Sequence, residues 1–287
     1  MYARYFGLRE LPFGITPDTG YYFAHRAQRE ALNTLLVAIR MGEGFLKVTG
    51  EVGTGKTLLC RKLLAVLSQD KQCITAYIPN PYQEPLALWS ALADELGLPT
   101  DDDRTQHRLL KQITERLIAI YAGGQRVVLC LDEAQAMPIQ TLEALRLISN
   151  LETEKSKLIQ IVLFGQPELD DRLNDPSIRQ LQQRVTFACR LTPLSYRDLD
   201  DYMRHRLLVA GYEGPSLFAK TAVRRLHRAS GGVPRLVNIL AHKALMAAYG
   251  EGSPIVRRRH VALACADTES VYRRKWTWTF GALWGRR

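Results

Sequence analysis

Short apolar runs alternate with longer amphipathic stretches along the first two thirds of the chain. The runs cover residues 45–49, 74–78, 127–131, 159–164 and 185–191. Their length and their β-branched and apolar residues predict strands, and the stretches between them mostly have helical periodicity. Strands that alternate with helices form a mainly parallel sheet covered on both faces. The pattern therefore predicts an α/β fold with five strands.

The pattern changes after residue 192. Amphipathic helical stretches follow near 195–210, 216–229, 234–249 and 257–269, and the turn-rich sequences GYEGP, SGGVP and GEGSP separate them. This change predicts three parts of the chain. Residues 1–192 form an N-terminal segment and the α/β core, residues 193–270 form a small all-α domain, and residues 271–287 form a tail.

Composition excludes several classes of protein. A chain of 287 residues with 46% apolar content can bury a sizeable core. It has no apolar run near the roughly 20 residues that span a bilayer, and its N-terminus lacks a signal-peptide core, so we expect a cytoplasmic protein. The five cysteines are scattered and form no CxxC pair, which argues against a disulfide framework and a zinc site.

Charge is concentrated at one end of the chain. Residues 1–190 hold 22 Lys and Arg against 22 Asp and Glu, whereas residues 191–287 hold 17 against 7, which accounts for the whole net charge of +10. Such an excess is typical of a surface that binds nucleic acid or anionic lipid, although a solvated helical face has the same composition.

A phosphate-binding sequence follows the first predicted strand. Residues 50–57 read GEVGTGKT and match the Walker A pattern, in the strand-to-helix context that this loop requires. Glycines let successive backbone N–H groups point at phosphate oxygens. Lys56 would reach the β- and γ-phosphates, and the Thr57 hydroxyl would ligate Mg²⁺. The predicted nucleotide-binding residues are Gly50, Glu51, Val52, Gly53, Thr54, Gly55, Lys56, Thr57 and Leu58.

Two adjacent carboxylates end the third predicted strand, in the sequence VVLCLDEAQ. Because neighbouring strand residues point in different directions, each acid can have its own role. Asp132 would complete the Mg²⁺ site, and Glu133 would orient and deprotonate the attacking water. The pair predicts hydrolysis of ATP to ADP as well as binding.

Polar and basic residues farther along the chain complete the predicted site. Gln166 follows the fourth strand and would sense the γ-phosphate or position water, although an ordinary turn residue could also stand there. Arg184 is the preferred arginine for neutralising transition-state charge in a neighbouring subunit, with Arg179 as the second choice. Arg235 lies in the first turn of a predicted helix, where a bound phosphate would compensate its charge against the helix dipole.

The order of these motifs resembles AAA+ ATPases, and more narrowly the secretion-associated ExeA family. The sequences LDEAQ, FGQPEL, RQLQQR and GGVPR carry the resemblance, with the opening YFGLRELPFGITPD, and it extends from about residue 5 to 265. It implies sheet order 5-1-4-3-2 and a helical lid. It also implies that Gln166 is sensor 1, Arg235 is sensor 2 and Arg184 is the arginine finger, and that residues 12–18 line the adenine side.

The resemblance implies a homo-oligomer that works with inner-membrane proteins of a secretion system or an MSHA-type type IV pilus. The tail RRKWTWTFGALWGRR has tryptophans between basic clusters, which suits a membrane surface, a partner protein or the lid itself. We therefore expect a cytoplasmic ATPase that can lie at the periphery of the inner membrane. The alternative is a DNA-binding regulator related to transposition ATPases, in which the basic lid contacts phosphates.

Overall fold

A computed structural model describes residues 2–81, 84–99, 105–152, 157–269 and 271 of the chain. The strands in these residues are β1 (Phe45–Gly50), β2 (Cys73–Ile78), β3 (Arg126–Leu131), β4 (Ile159–Gly165) and β5 (Phe187–Leu191). The helices in the same residues are α1 (Tyr2–Tyr5), α2 (Arg26–Arg40), α3 (Lys56–Leu67), α4 (Pro85–Glu95), α5 (Gln106–Ala122), α6 (Ile139–Ser149), α7 (Glu168–Leu173), α8 (Arg179–Gln182), α9 (Tyr196–Val209), α10 (Lys220–Ser230), α11 (Pro234–Gly250) and α12 (Arg258–Ala266).

The five strands form one parallel sheet in the order β2-β3-β4-β1-β5. This is the predicted order 5-1-4-3-2 counted from the other edge, so the predicted fold class is confirmed. Parallel strands end at the same edge of a sheet, where ligands bind in open α/β folds. The ends of β1, β3 and β4 are neighbours there, because Thr49 pairs with Gly165 and Leu131 pairs with Leu163.

Helices cover both faces of the sheet, because alternate strand residues point to opposite sides. On β3, Val127 and Leu129 pack in the cluster that contains residues of α4, α5 and α6, whereas Val128 and Cys130 pack with α2 and α3. Asp132 lies two residues after Cys130, so it points to the same side of the sheet as Val128 and Cys130. The alternation therefore directs the Asp132 carboxylate toward α3, the helix that follows the phosphate-binding loop.

The C-terminal helices α9 to α12 form a third hydrophobic cluster, which also contains residues from the start of the chain. Phe13 contacts Phe218 edge to face with ring centroids 5.9 Å apart, and the Tyr2 hydroxyl lies 2.7 Å from His242 Nδ1. The N-terminal segment thus packs against the helical lid as well as preceding the core. The predicted domain boundaries near 192 and 270 stay predictions.

Two predicted element starts were wrong by a few residues. The last strand begins at residue 187 and not at 185, because the backbone of residues 184 and 185 hydrogen-bonds back into a turn after α8. Helix α10 begins at 220 and not at 216, because Phe218 pairs with Val256 in an isolated bridge. Within the described residues, no helix has both the length and the apolar character needed to cross a membrane.

Candidate functional site

The loop between β1 and α3 has the backbone that phosphate binding requires. Gly53 and Gly55 have φ angles of 80° and 96°, in the left-handed region that glycine adopts without strain. The backbone N and the Oγ1 of Thr54 both donate to the Glu51 carbonyl, at 3.2 and 2.8 Å, which closes a tight turn. Helix α3 begins at Lys56, so the positive end of its dipole lies at this loop.

Lys56 is buried inside the loop, with 5% of its surface exposed. Its Nζ donates to the Gly50 carbonyl at 2.7 Å and to the Glu51 carbonyl at 3.1 Å. Burial lowers the pKa of Lys56, and the nearby Glu133 and Asp132 carboxylates act in the opposite direction. Phosphate oxygens are stronger acceptors for an ammonium than carbonyls are, so this position of Lys56 is compatible with phosphate binding.

The two acidic residues at the end of β3 point in different directions, as the alternation of side chains along a strand predicts. Asp132 is 2% exposed, and the Thr57 hydroxyl hydrogen-bonds to its carboxylate. Burial is the main cause that raises the pKa of Asp132, and the bond from Thr57 opposes it. Glu133 has a φ of 54°, and no other non-glycine residue in the described ranges has a positive φ. Such a conformation costs about 1–3 kcal/mol and is common at functional sites.

Gln166 reaches Glu133 from the neighbouring strand end. Its Nε2 donates to Glu133 Oε2 at 3.3 Å. A residue that the sequence reasoning missed, Gln135, contacts both: its Nε2 donates to Glu133 Oε2 at 2.6 Å, and its Oε1 accepts from the Gln166 backbone N at 3.0 Å. The available signal was its position two residues after Glu133 in the sequence LDEAQ.

Helix α11 of the lid contacts the phosphate-binding loop directly. The backbone N of Arg235 donates to the Gly53 carbonyl at 3.2 Å. A Cβ atom at Gly53 would lie only 2.7 Å from the Arg235 Cβ, so the absence of a side chain at Gly53 permits this approach. The lid therefore contacts the loop through Arg235 and Gly53.

One cleft joins the loop, the strand ends, the lid and the N-terminal segment. Its lining residues are Gly14, Ile15, Thr16, Pro17, Asp18, Val52, Gly53, Gly55, Lys56, Thr57, Leu58, Glu133, Gln166, Tyr202, Arg206, Pro234, Arg235 and Asn238. The cleft thus brings together the predicted Lys56, Thr57, Glu133, Gln166 and Arg235. Asp132 adjoins it through its contact with Thr57.

The two arginines considered for a neighbouring subunit lie elsewhere. Arg184 is half-buried and donates from Nη1 to Ser149 Oγ at 2.9 Å. Arg179 is exposed at the start of α8. Neither is among the residues that line the cleft of their own chain. The arginine-finger assignment stays a prediction.

Arg206 is a further cleft residue that the sequence did not indicate. It is 6% exposed, and its guanidinium donates to the Pro12 carbonyl and, at 3.4 Å, to the Gly14 carbonyl. Its guanidinium carbon lies 4.4 Å from the centroid of the Tyr21 ring. Asn238 Nδ2 donates to the same Gly14 carbonyl at 3.0 Å. Helices α9 and α11 therefore hold the N-terminal segment at the cleft.

The parallel sheet, the phosphate-binding loop at its carboxyl edge and the adjoining helical lid define an ATPase of the AAA class. A family model for the AAA domain matches residues 39–173. The chain is 43% identical over 283 residues to General secretion pathway protein A of Aeromonas hydrophila. That alignment covers 99% of this chain and 51% of the relative, so the chain spans about half the length of that protein.

Solved structures share the fold at low identity. Cdc6p of Pyrobaculum aerophilum has a TM-score of 0.66 with 19% identity, over 83% of this chain and 68% of that chain. The ORC2 protein of Aeropyrum pernix has 0.65 with 17% identity, over 89% and 72%. The RuvB Holliday junction branch migration motor of Thermotoga maritima has 0.54 with 16% identity, over 84% and 68%. The predicted AAA+ fold and ATPase class are confirmed.

Proposed function

We propose that this ATPase supports the assembly or function of a type II secretion-like machine or an MSHA-type type IV pilus at the cytoplasmic face of the inner membrane. The observation that carries the proposal is the 43% identity to General secretion pathway protein A along 99% of the chain. The sequence also resembles MshM, the ATPase of MSHA pilus systems. The chain spans about half of the secretion protein, and the AAA domain at residues 39–173 lies within the shared part. The partners are proposed from that similarity.

The residues of the cleft support ATP hydrolysis as the reaction. Glu133 would take a proton from the attacking water while the water oxygen bonds to the γ-phosphorus and the bond to the bridging oxygen breaks, which leaves ADP and phosphate. Lys56 and Arg235 would neutralise charge on the phosphates. The Gln166 amide would sense the γ-phosphate, because it already lies at the strand end beside Glu133.

Thr57 and Asp132 fit a magnesium ion. The Thr57 hydroxyl and the buried Asp132 carboxylate are hydrogen-bonded to each other, so two oxygen atoms that can ligate a metal lie side by side. The described residues contain no group of three or more His, Cys, Asp or Glu arranged for a metal, and Mg²⁺ at phosphate sites uses only one or two carboxylates with waters and substrate oxygens. When bound, Mg²⁺ would neutralise charge on the β- and γ-phosphates.

The proposed cellular role is tested by complementation with the Walker lysine removed. In a strain that lacks the encoding gene, we expect the wild-type protein to restore pilus display or secretion and Lys56→Ala to fail, because Lys56 would bind the phosphates. Lys71→Ala, at an exposed position, is the matched control and should restore both. Equal restoration by Lys56→Ala, with expression matched, would show that the machine does not need this ATPase site.

We propose that Arg184 acts in the cleft of a neighbouring subunit of a homo-oligomer. It does not line its own cleft, and an arginine supplied in trans raises hydrolysis by about 10³–10⁵-fold in related chemistry. The rate per subunit should then rise with protein concentration for the wild type and stay low at all concentrations for Arg184→Ala. If the rate does not depend on concentration and Arg184→Ala leaves it unchanged, the arginine-finger assignment fails. If Arg179→Ala, and not Arg184→Ala, keeps the rate low at all concentrations, the arginine finger is Arg179.

A second candidate function is that of a DNA-binding AAA+ regulator, and a basic face of the lid favours it. Lys220, Arg224 and Arg228 lie four residues apart on α10, so they share one helix face, and all three are exposed. Arg257 and Arg258 are also exposed and lie at the start of α12, where a backbone hydrogen bond joins the segments before the two helices. Five cations with this spacing suit a polyanion.

Two binding experiments separate the candidates. Turnover stimulated by duplex DNA, with a steep loss as salt rises, would favour the DNA-binding candidate. Binding to vesicles of anionic lipid that requires residues 271–287, without a response to DNA, would favour the secretion or pilus role. Apart from residue 271, that tail lies outside the described residues.

A further inference from the structure

Gln135 makes a two-sided contact between the ends of two strands. From the short helical turn that follows β3, its Nε2 donates to Glu133 Oε2 at 2.6 Å. Its Oε1 accepts from the backbone N of Gln166 at 3.0 Å. In the part of the chain that the structure describes, Glu133 and Gln166 line the cleft and Gln135 does not. Gln135 therefore contacts the reacting groups without facing the nucleotide itself.

The chemistry of the two contacts fixes the orientation of the Gln135 amide. A backbone N–H can only donate, so the oxygen of the amide must face Gln166. The NH₂ group must then face the Glu133 carboxylate, which can only accept when it is ionised. Reversing the amide would lose both hydrogen bonds. The Gln135 amide therefore requires a hydrogen-bond acceptor at Glu133, which an ionised carboxylate supplies and a donor group does not.

Space around Gln135 is restricted on the β4 side. A Cβ atom added to Gly165 would lie 3.2 Å from Gln135 Oε1 and 2.7 Å from the Leu169 Cδ2. Glycine at the end of β4 therefore lets the Gln135 amide approach the strand closely enough to accept from the next backbone N–H. The contact depends on the backbone of β4, so a shift of that strand end would move the hydrogen bond to Gln135.

We propose that Gln135 is a positioning residue for hydrolysis, which aims the Glu133 carboxylate at the attacking water and couples its orientation to the Gln166 segment. The inference deepens the proposed function, since it requires Glu133 to be the base. Glu133 has a strained backbone with φ of 54°, and its carboxylate accepts from both amides. Without Gln135, the shorter of these two contacts is lost and the longer one, to Gln166, remains, so the carboxylate can rotate away from the water.

Gln135→Met tests the positioning role, because methionine has a similar length and neither polar contact. We expect kcat to fall about 10- to 100-fold, the loss typical of a misplaced catalytic group. The dissociation constant of a non-hydrolysable ATP analogue should change less than about threefold, because Gln135 does not line the cleft. Gln140→Met, at an exposed position at the start of α6, is the matched control and should leave both quantities unchanged.

Gln135→Glu adds a readout that a purely structural role would not move. The new carboxylate keeps an acceptor for the Gln166 N–H but has no donor for the Glu133 carboxylate. A residue that only held the β4 backbone would be restored by this change, whereas a residue that positions Glu133 would not. We therefore expect kcat to stay at least about 10-fold below the wild type, while the dissociation constant of the non-hydrolysable analogue changes less than about threefold.

The outcomes separate this inference from the proposed function. Wild-type kcat in Gln135→Met, or an equal loss of ATP binding and turnover, would overturn the positioning role, as would wild-type kcat in Gln135→Glu. If Glu133→Gln stops turnover in the same preparation, the base assignment survives that result. If Glu133→Gln turns over normally, the base assignment itself fails and Gln135 has nothing to position.

Discussion

Replacing Glu133 by Gln is expected to lower kcat for ATP hydrolysis by about 10²- to 10⁴-fold, the usual contribution of a general base. Glutamine has the same shape but cannot take a proton from water. Nucleotide binding should persist, because the loop glycines, Lys56 and the Thr57–Asp132 pair are untouched. The variant should also fold, since glutamine can occupy the same backbone conformation with a similar strain. Single-turnover phosphate release, measured beside the affinity for Mg²⁺-ATP, checks the prediction.

The matched control is Glu115→Gln. Glu115 is exposed on α5, with its Oε1 3.9 Å from Lys111 Nζ, so its charge is well solvated, and it is not among the residues that line the cleft. We expect turnover within about twofold of the wild type, as for most surface substitutions. Undiminished hydrolysis in Glu133→Gln, with ATP still bound, would instead make another group the base or leave water activation to the phosphate itself.

Replacing Arg206 by Met is expected to lower the free energy of unfolding by about 3 kcal/mol and to weaken ATP binding. Arg206 is nearly buried, and each hydrogen bond from a charged group contributes about 1.5–3 kcal/mol. Its contact with the Tyr21 ring adds about 0.5–2 kcal/mol, while removing a buried charge offsets part of the loss. Urea unfolding monitored at several probes, together with ATP titration, measures both effects.

Arg206→Met should weaken ATP binding because Arg206 holds the N-terminal segment, which lines the cleft. Its bonds to the carbonyls of Pro12 and Gly14 keep the N-terminal segment beside α9, and residues 14–18 line the cleft. Asn238 retains one contact to Gly14, so the segment would loosen rather than detach. We propose that this segment forms the adenine side of the site, and a weaker affinity in the variant would support that placement.

Arg204→Met is the matched control for this prediction. It lies on the same helix, two residues away, with its side chain 69% exposed and an ion pair to Asp200 at 2.9 Å. Exposed pairs of this kind contribute about 0–1 kcal/mol, so the free energy of unfolding should change by about 0.5 kcal/mol at most. If Arg206→Met has no larger effect than Arg204→Met, the N-terminal segment is held by its hydrophobic contacts alone.

The sequence alone indicated the elements that depend on local pattern. Apolar runs located the five strands, because burial on both faces requires such runs, and GEVGTGKT located a loop whose glycines have the backbone freedom that the turn needs. Strand alternation placed Asp132 and Glu133 on different sides, and the structure shows Asp132 against Thr57 and Glu133 beside Gln166. Of the two starts that were misplaced, that of α10 lies where Phe218 pairs with the distant Val256, and that of β5 lies after a local turn that follows α8.

Tertiary structure alone decided which distant residues meet at the site. The sequence determined the α/β class, the phosphate-binding loop and the acidic strand end, because each is written in a short stretch of neighbouring residues. It did not indicate that Arg206 is buried under the N-terminal segment or that the Gln135 amide joins two strand ends. An arginine on a helix has no local property that sets it apart, and the position of Gln135 two residues after Glu133 does not show its contact with the end of β4. Their roles follow from how the helices and strands pack together.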